Sequence, residues 1–239
     1  MTWLEELGVR DFLAHHSTLR IIQLSDDFVE LEGTYELYAQ FENGQIIDDV
    51  IDLKIVIPSR YPNDVPTVYE TSNKFPRTPD FHTYKDGSLC LTSEVRLRMA
   101  CFDNSKFEGF FASIVEPCLF SIAYKVKFGS APFGELEHGE DGLIDDYEKL
   151  FGVKGKEPVM LTLKALGFRY RDANKLRCPC NCGLRLGRCS LRFRLKPMRR
   201  LIKRRWYREH LTNNFTPIPK KEAPVKFRKK TLGRKYVGE

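Results

Sequence analysis

The stretch Phe81-His82-Thr83-Tyr84-Lys85-Asp86-Gly87-Ser88-Leu89-Cys90-Leu91, which follows Tyr61-Pro62-Asn63-Asp64-Val65-Pro66, sets one cysteine directly after a glycine turn. Asp-Gly is a turn dipeptide, because glycine takes left-handed conformations at no steric cost, and a turn can leave a thiol near the surface. A cysteine inside a cell is either a small buried hydrophobe or a nucleophile, and its local setting decides which. Cys90 is therefore the first candidate for chemistry.

The sequence on either side of this loop reads as an α+β body. From Arg20 to Glu70 apolar residues alternate with polar ones: Ile22-Gln23-Leu24, Phe28 to Gly33, Tyr35 to Tyr38, and Ile51 to Ile57. That period of two, with Asn43-Gly44 as a hairpin turn, predicts a four-stranded antiparallel meander. Trp3 to Leu19 has a helical spacing of apolar residues that predicts a leading helix ending near His15-His16. Ser72 to Leu91, broken by Pro76 and Pro79, is irregular. Beyond it, Asn104 and Ser105 can cap a helix carrying Phe107, Phe110, Phe111, Ile114, Leu119 and Ile122, with a kink expected at Pro117. Shorter helices are expected at Ile144 to Phe151, after the Gly139 to Gly142 turn, and at Val159 to Leu166, ended by Gly167.

The chain has 239 residues, enough for one domain of ordinary size and a smaller appendage. Its N-terminus, Met1-Thr2-Trp3-Leu4-Glu5-Glu6, lacks the basic and apolar regions of a signal peptide, and no window approaches about 18 apolar residues. A cytoplasmic protein without membrane attachment is expected. Seven cysteines, four of them crowded between Cys178 and Cys189, do not form a secreted disulfide pattern, so reduced thiols are expected. The formal charge of +7 conceals an asymmetry: from Leu176 to Glu239 there are 20 basic and 3 acidic residues, against 19 basic and 29 acidic before them. A tail so charged suits a polyanion, an acidic partner, or the chain's own acidic body.

Order and motif together resemble the ubiquitin-conjugating (UBC) enzyme family over about residues 1 to 152, most specifically at Tyr61-Pro62, Pro66, His82 and Gly87 to Leu91. With Pro132-Phe133-Gly134-Glu135-Leu136-Glu137-His138-Gly139 and a cysteine-rich end, the chain is more closely similar to stand-alone bacterial relatives, some of which lie in antiphage (CBASS) operons beside cyclic-nucleotide synthases. The resemblance implies a UBC-like fold: N-terminal helix, four-stranded meander, active-site loop and C-terminal helices. It implies that Cys90 accepts the C-terminal carboxyl of a partner protein as a thioester and passes it to an amine or thiol. The partner implied is a cyclic GMP-AMP synthase-like (cGAS-like) nucleotidyltransferase. The family's His-Pro-Asn segment, whose asparagine is assigned the oxyanion role, has no counterpart here, since His82 is followed by Thr83 and Tyr84.

A thioester carrier needs a thiolate, and a free thiol near pKa 8.5 supplies only a few per cent of it at neutral pH. Backbone amides of the glycine turn or a nearby histidine, with His82 the candidate, would raise that fraction; His82, Tyr84 or backbone amides would then serve the oxyanion. Cys101 is a rival nucleophile, expected to be exposed just before the cap at Asn104, where a helix N-terminus lowers a thiol's pKa. Cys118, beside Pro117 on an apolar helix, reads as packing. Glu135, Glu137, His138, Glu140 and Asp141 read as a solvated acidic turn. No glycine-rich nucleotide-binding motif is present, so either activation of the acyl group comes from elsewhere or acyl groups are exchanged without ATP.

The domain plan expected is a UBC-like unit at 1–152, a helical connector at 153–175, a cysteine-rich motif with a basic helix at 176–211, and a basic flexible tail at 212–239. Cys178-Pro179-Cys180, followed by Cys189, has the spacing of a small zinc knuckle and resembles the SEC-C motif at the end of SecA and other bacterial proteins. Zinc takes four ligands; Ser190, after Cys189, is a poor one, and Cys182 or His210 would complete the set with Cys178, Cys180 and Cys189. Pro197 to Leu211 reads as a basic helix with Pro near its first turn. Arg and Lys from Arg192 to Arg208, interleaved with Phe193, Trp206 and Tyr207, suit nucleic acid.

Overall fold

A computed structural model describes residues 3–42, 44–132 and 139–217. Alternation along β2 (Phe28–Gln40) and β3 (Ile46–Pro58) buries Val29, Leu31, Tyr35 and Leu37 on one strand and Ile47, Ile51, Leu53, Ile55 and Ile57 on the other. Side chains two apart share a face of a pleated strand, so this pattern gives the sheet one apolar side. With β1 (Leu19–Leu24) and β4 (Thr67–Glu70) they form a four-stranded antiparallel sheet in sequence order, the meander expected. Glycine is required at position 33: its φ is +151°, and a Cβ there would lie 2.1 Å from the Thr18 carbonyl oxygen. β2 and β3 pair out to Gln40 and Ile46, leaving a five-residue connection in which Asn43 of the expected turn lies outside the described residues.

The leading helix is split by Gly8, at φ 67°, into α1 (Trp3–Glu6) and α2 (Val9–His15). The helix after the loop is preceded by one that periodicity did not predict, α3 (Glu94–Asp103). Asn104 is therefore its C-terminal cap and not the start of the next helix. Residues 107–128 then run as α4 (Phe107–Phe110), a π turn (Phe111–Val115) and α5 (Glu116–Phe128). The widened turn sits beside Pro117, which has no N–H to donate and whose ring crowds the preceding turn. Phe107, Phe110, Phe111, Val115, Leu119 and Ile122 bury against the sheet, and Phe12 meets Phe107 edge-on at 4.9 Å. Each such side chain contributes about 1.5–3 kcal/mol of transfer free energy. Contrary to expectation, residues 107–128 are long and apolar enough, by length and composition, to cross a membrane; here their apolar face is the core of the first unit.

A second core gathers the later helices. α6 (Gly139–Phe151) packs through Tyr147 and Phe151 with α7 (Lys156–Gly167) and α11 (Arg204–Asn214). Residues 153–175, which include α8 (Tyr170–Ala173), supply Val159, Leu163, Leu166 and Ala173 to this core. The basic helix is two, α10 (Lys196–Leu201) and α11, broken at Ile202-Lys203, and it follows the short α9 (Leu191–Arg194). Basic residues attach this part to helix ends. Arg194 donates to the carbonyls of Lys149 and Leu150, Arg199 to Ala165 and Arg208 to Gly167. The last carbonyls of a helix lack intrahelical partners and carry partial negative charge, which cations satisfy. α3 joins the two cores, since Cys101 is buried in the first and Val95 in the second.

His210 sits in this second core, its Nε2 2.8 Å from the Tyr147 hydroxyl and its ring stacked on Trp206. Burial, then the charge of Arg98, holds its pKa down to about 4. As pH falls below about 6.5 the unfolded chain takes up this proton first, so stability is complete above that pH and declines toward pH 4. Thermal unfolding at pH 5 should therefore begin several degrees below that at pH 7, and His210→Gln should shrink the difference by about half or more.

Candidate active site and metal centre

The cysteine loop is built as an extra edge on β4. Glu70 N–H donates to the Gly87 carbonyl at 3.0 Å and Leu89 N–H to the Val68 carbonyl at 2.8 Å. Tyr84 to Gly87 form the tight turn, closed by Gly87 N–H on the Tyr84 carbonyl, and Asp86 Oδ1 accepts from both the amide and the hydroxyl of Ser88. Gly87 has φ +89°, and a Cβ would lie 2.7 Å from the Glu70 carbonyl oxygen, so no larger residue fits without movement. Asp86 is fully exposed, and its bonds to Ser88 lower its pKa. The carboxylate thus faces solvent and not the thiol pocket.

Below the turn lies a buried carboxylate that the motif did not reveal. Glu70 is 1 % exposed and accepts from the amides of Ser72, Lys74 and Phe75 and from the Ser72 hydroxyl, with Arg77 Nη2 3.0 Å away. Arg77 also donates to the Glu70 carbonyl oxygen at 2.6 Å. A carboxylate at the inward parity of a strand, two residues after Val68, was the available signal: a buried charge needs a full set of partners.

Cys90 sits between two inward-packing leucines, Leu89 buried and Leu91 against the first core, and is itself half-exposed. Its amide donates to the His82 carbonyl at 2.7 Å, with His82 in a left-handed conformation at φ 48°. His82 thus holds Cys90 through the backbone. Tyr84 lies beside Cys90, and the charge of the Cys90 sulfur first, then burial, pushes the phenol's pKa up to about 12. The phenol remains protonated at neutral pH and can donate to a sulfur anion or to an oxyanion beside it. Behind them Cys118 Sγ approaches the Cys90 carbonyl at 3.9 Å, its own thiol pushed up to about 12 by burial.

Cys101 does not occupy the exposed place expected of it. Because α3 fills residues 94–103, Cys101 faces inward in that helix's last turn, is 0 % exposed, and is pushed up to about 12 chiefly by burial. A buried thiol at a helix C-terminus has neither water nor a positive dipole to favour its anion. Iodoacetamide at neutral pH should accordingly label Cys90 before Cys101 or Cys118. Tyr84→Phe, which removes the hydroxyl nearest the sulfur, should slow labelling of Cys90 by roughly three- to tenfold, the net worth of about one ordinary hydrogen bond, as read by peptide mass spectrometry.

At the other end, the sulfurs of Cys178, Cys180, Cys182 and Cys189 lie within 4.8 Å of one another. Left-handed Asn181 (φ 61°) and Gly183 (φ 78°) fold the chain back so that Cys178 N–H meets the Leu184 carbonyl at 2.8 Å, bringing the sulfurs together. Cys178 and Cys180 are 3.1 Å apart, Cys180 and Cys189 3.6 Å, near the edge of about 3.8 Å that a tetrahedron with 2.3 Å zinc–sulfur bonds requires. The Leu191 amide donates to Cys189 Sγ, and that bond is the first cause of a thiol pKa drawn down to about 7. Four soft donors with an amide-stabilised thiolate fit a tetrahedral metal site, and Cys182 supplies the fourth. The alternative fourth ligand, His210, is committed to Tyr147 and Asn214.

The acidic turn is described only in part: Glu135, Glu137 and His138 lie outside the described residues. Glu140 is not merely solvated, since it accepts from Thr216 and pairs with Lys156 at 2.9 Å, tying the end of the second core to α6. Fold and site together define an α+β protein with a four-stranded antiparallel meander, a loop cysteine held beside a tyrosine, and a four-cysteine cluster that could hold a metal ion such as zinc. No protein-family model, curated protein or solved structure matches this chain.

Proposed function

We propose that this chain is a cytoplasmic, bacterial UBC-like transferase of antiphage defence. In this reading Cys90 takes the C-terminal carboxyl of a partner protein as a thioester and delivers it to an amine or thiol. The observation that carries the reading is the partly exposed Cys90 on a loop fixed to β4 by hydrogen bonds, with the protonated Tyr84 beside it. In this reading the Tyr84 hydroxyl serves the oxyanion, in place of the asparagine that His82-Thr83-Tyr84 lacks, and its protonated state beside Cys90 supports that role. Attack by the Cys90 thiolate on an activated carboxyl forms the C–S bond and expels the activating group; attack by the acceptor's nucleophilic nitrogen or sulfur then breaks it, returning the thiolate. The partner class, a cGAS-like nucleotidyltransferase with a free C-terminal carboxyl, rests on resemblance. Zinc in the cysteine cluster has a structural part, and the UBC-like fold assignment rests on the helix–meander–loop–helix order.

The test uses the two chains expressed together with the source of activation. A thioester at Cys90 gives an adduct lost on treatment with thiol, whereas Cys90→Ser gives an oxyester that survives it. If Cys90→Ser leaves a thiol-sensitive adduct unchanged, Cys90 is not the carrier.

A further inference from the structure

The chain holds a second candidate site remote in chemistry from Cys90. Phe168, Arg169 and Tyr170, just after α7, face the α10–α11 junction across an open groove of about 1180 Å³, reached from the first unit by Asn63 and Phe102. Its walls carry Arg169, Arg199, Arg200, Lys203, Arg204, Arg205 and Arg208, and no acidic residue lines it. Arg205 pairs with Glu209 at 2.6 Å, and among the described residues none of the other six has a carboxylate partner. The groove is preformed. Arg199 and Arg208 are held by the carbonyls of Ala165 and Gly167, and the Arg199 guanidinium lies over the Tyr170 ring at 5.6 Å.

The aromatic groups decide the occupant. Trp206 and Tyr207, which the sequence pattern put forward for base stacking, are spent in the second core: Tyr207 is 0 % exposed and Trp206 is stacked on His210. Those at the groove are Phe168 and Tyr170, the latter 54 % exposed. Guanidinium groups that fork onto phosphates, set beside solvent-exposed aromatic rings in a concave track, are the elements of sequence-tolerant single-strand binding. A duplex hides its bases from such rings, and an anionic membrane offers nothing to stack. We infer that this groove binds single-stranded nucleic acid, with phosphates on Arg200, Lys203 and Arg204 and a base on Tyr170.

Fluorescence anisotropy on the full chain with labelled dT20 tests this, against an abasic strand of equal charge, the dT20·dA20 duplex, and vesicles of phosphatidylserine and phosphatidylcholine. The expected result is preference for dT20 over the abasic strand by about tenfold, and weakening by tenfold or more between 50 and 200 mM salt. Tyr170→Ala should abolish the preference, while the exposed pair Arg200→Glu/Lys203→Glu should weaken dT20 binding at least tenfold. Lys229→Glu/Lys230→Glu, in the basic end of the chain, should leave the base preference intact. Equal affinity for dT20 and the abasic strand overturns the proposal. So does tighter binding to duplex or vesicles, or a loss caused by the Lys229 and Lys230 changes and not by those in the groove.

Discussion

Stripping metal from the chain with a strong chelator should unfold residues 139–217 while leaving the meander folded. Cys178, Cys189 and Leu186 belong to the second core together with Tyr147, Leu163 and Tyr207, so the cluster is a wall of that core and not an appendage to it. Without a metal, four sulfurs would crowd one another, two of them buried, with burial driving the Cys178 thiol toward its neutral form. A structural zinc contributes about 10–16 kcal/mol of binding free energy in small metal-dependent folds, comparable with the whole stability of a domain at about 5–15 kcal/mol. Chelation should therefore remove most of the helical circular dichroism of α6, α7 and α11 and shift Trp206 emission to the red, and Cys178→Ser should do the same without chelator. Unchanged spectra after verified metal removal would show that the second core stands on its apolar packing alone.

Glu70→Ala should destabilise the first unit by about 3–5 kcal/mol, because it takes the acceptor from three amides, that of Phe75 buried, and removes the buried carboxylate that faces the Arg77 guanidinium. Glu70→Gln, which keeps an oxygen acceptor, should cost about half as much. Urea unfolding monitored by Trp3 emission, which reports the first core, distinguishes the two. The same change should reach Cys90. Gly87 and Leu89 hang on β4 through Glu70 N–H and the Val68 carbonyl, so loosening Ser72 to Arg77 frees the edge that aims the thiol beside Tyr84. Adduct formation through Cys90 should fall by at least tenfold even in conditions where the variant is folded, since a misplacement of about 1 Å can cost a hundredfold in a positioned reaction.

The meander was legible because its period-two alternation has one dominant cause, a single sheet face turned to the core. α3 was not, and the reason is geometric. Val95 and Met99 face the second core while Leu97, Ala100 and Cys101 face the first, so its apolar residues form no single stripe for periodicity to detect. Missing that helix is what made Cys101 look exposed. The four cysteines were legible from spacing, whereas the core around them was masked by charge: Leu191, Leu195, Met198, Ile202 and Tyr207 are buried between arginines that extend outward or onto helix ends. Tyr84 was one of several candidate donors in the sequence, and the tight turn at Gly87 brings it back beside Cys90.

The most direct measurement is tandem mass spectrometry of the adduct formed when this chain, the proposed cGAS-like partner and the activating source are expressed together, digested with trypsin under mildly acidic, thiol-free conditions. The expected product is the partner's C-terminal peptide joined to Asp86–Arg96, which contains Cys90, with loss of one water and release by hydroxylamine. Linkage to Met99–Lys106, which contains Cys101, or absence of any Cys90-linked species while the partner is being conjugated, would contradict it.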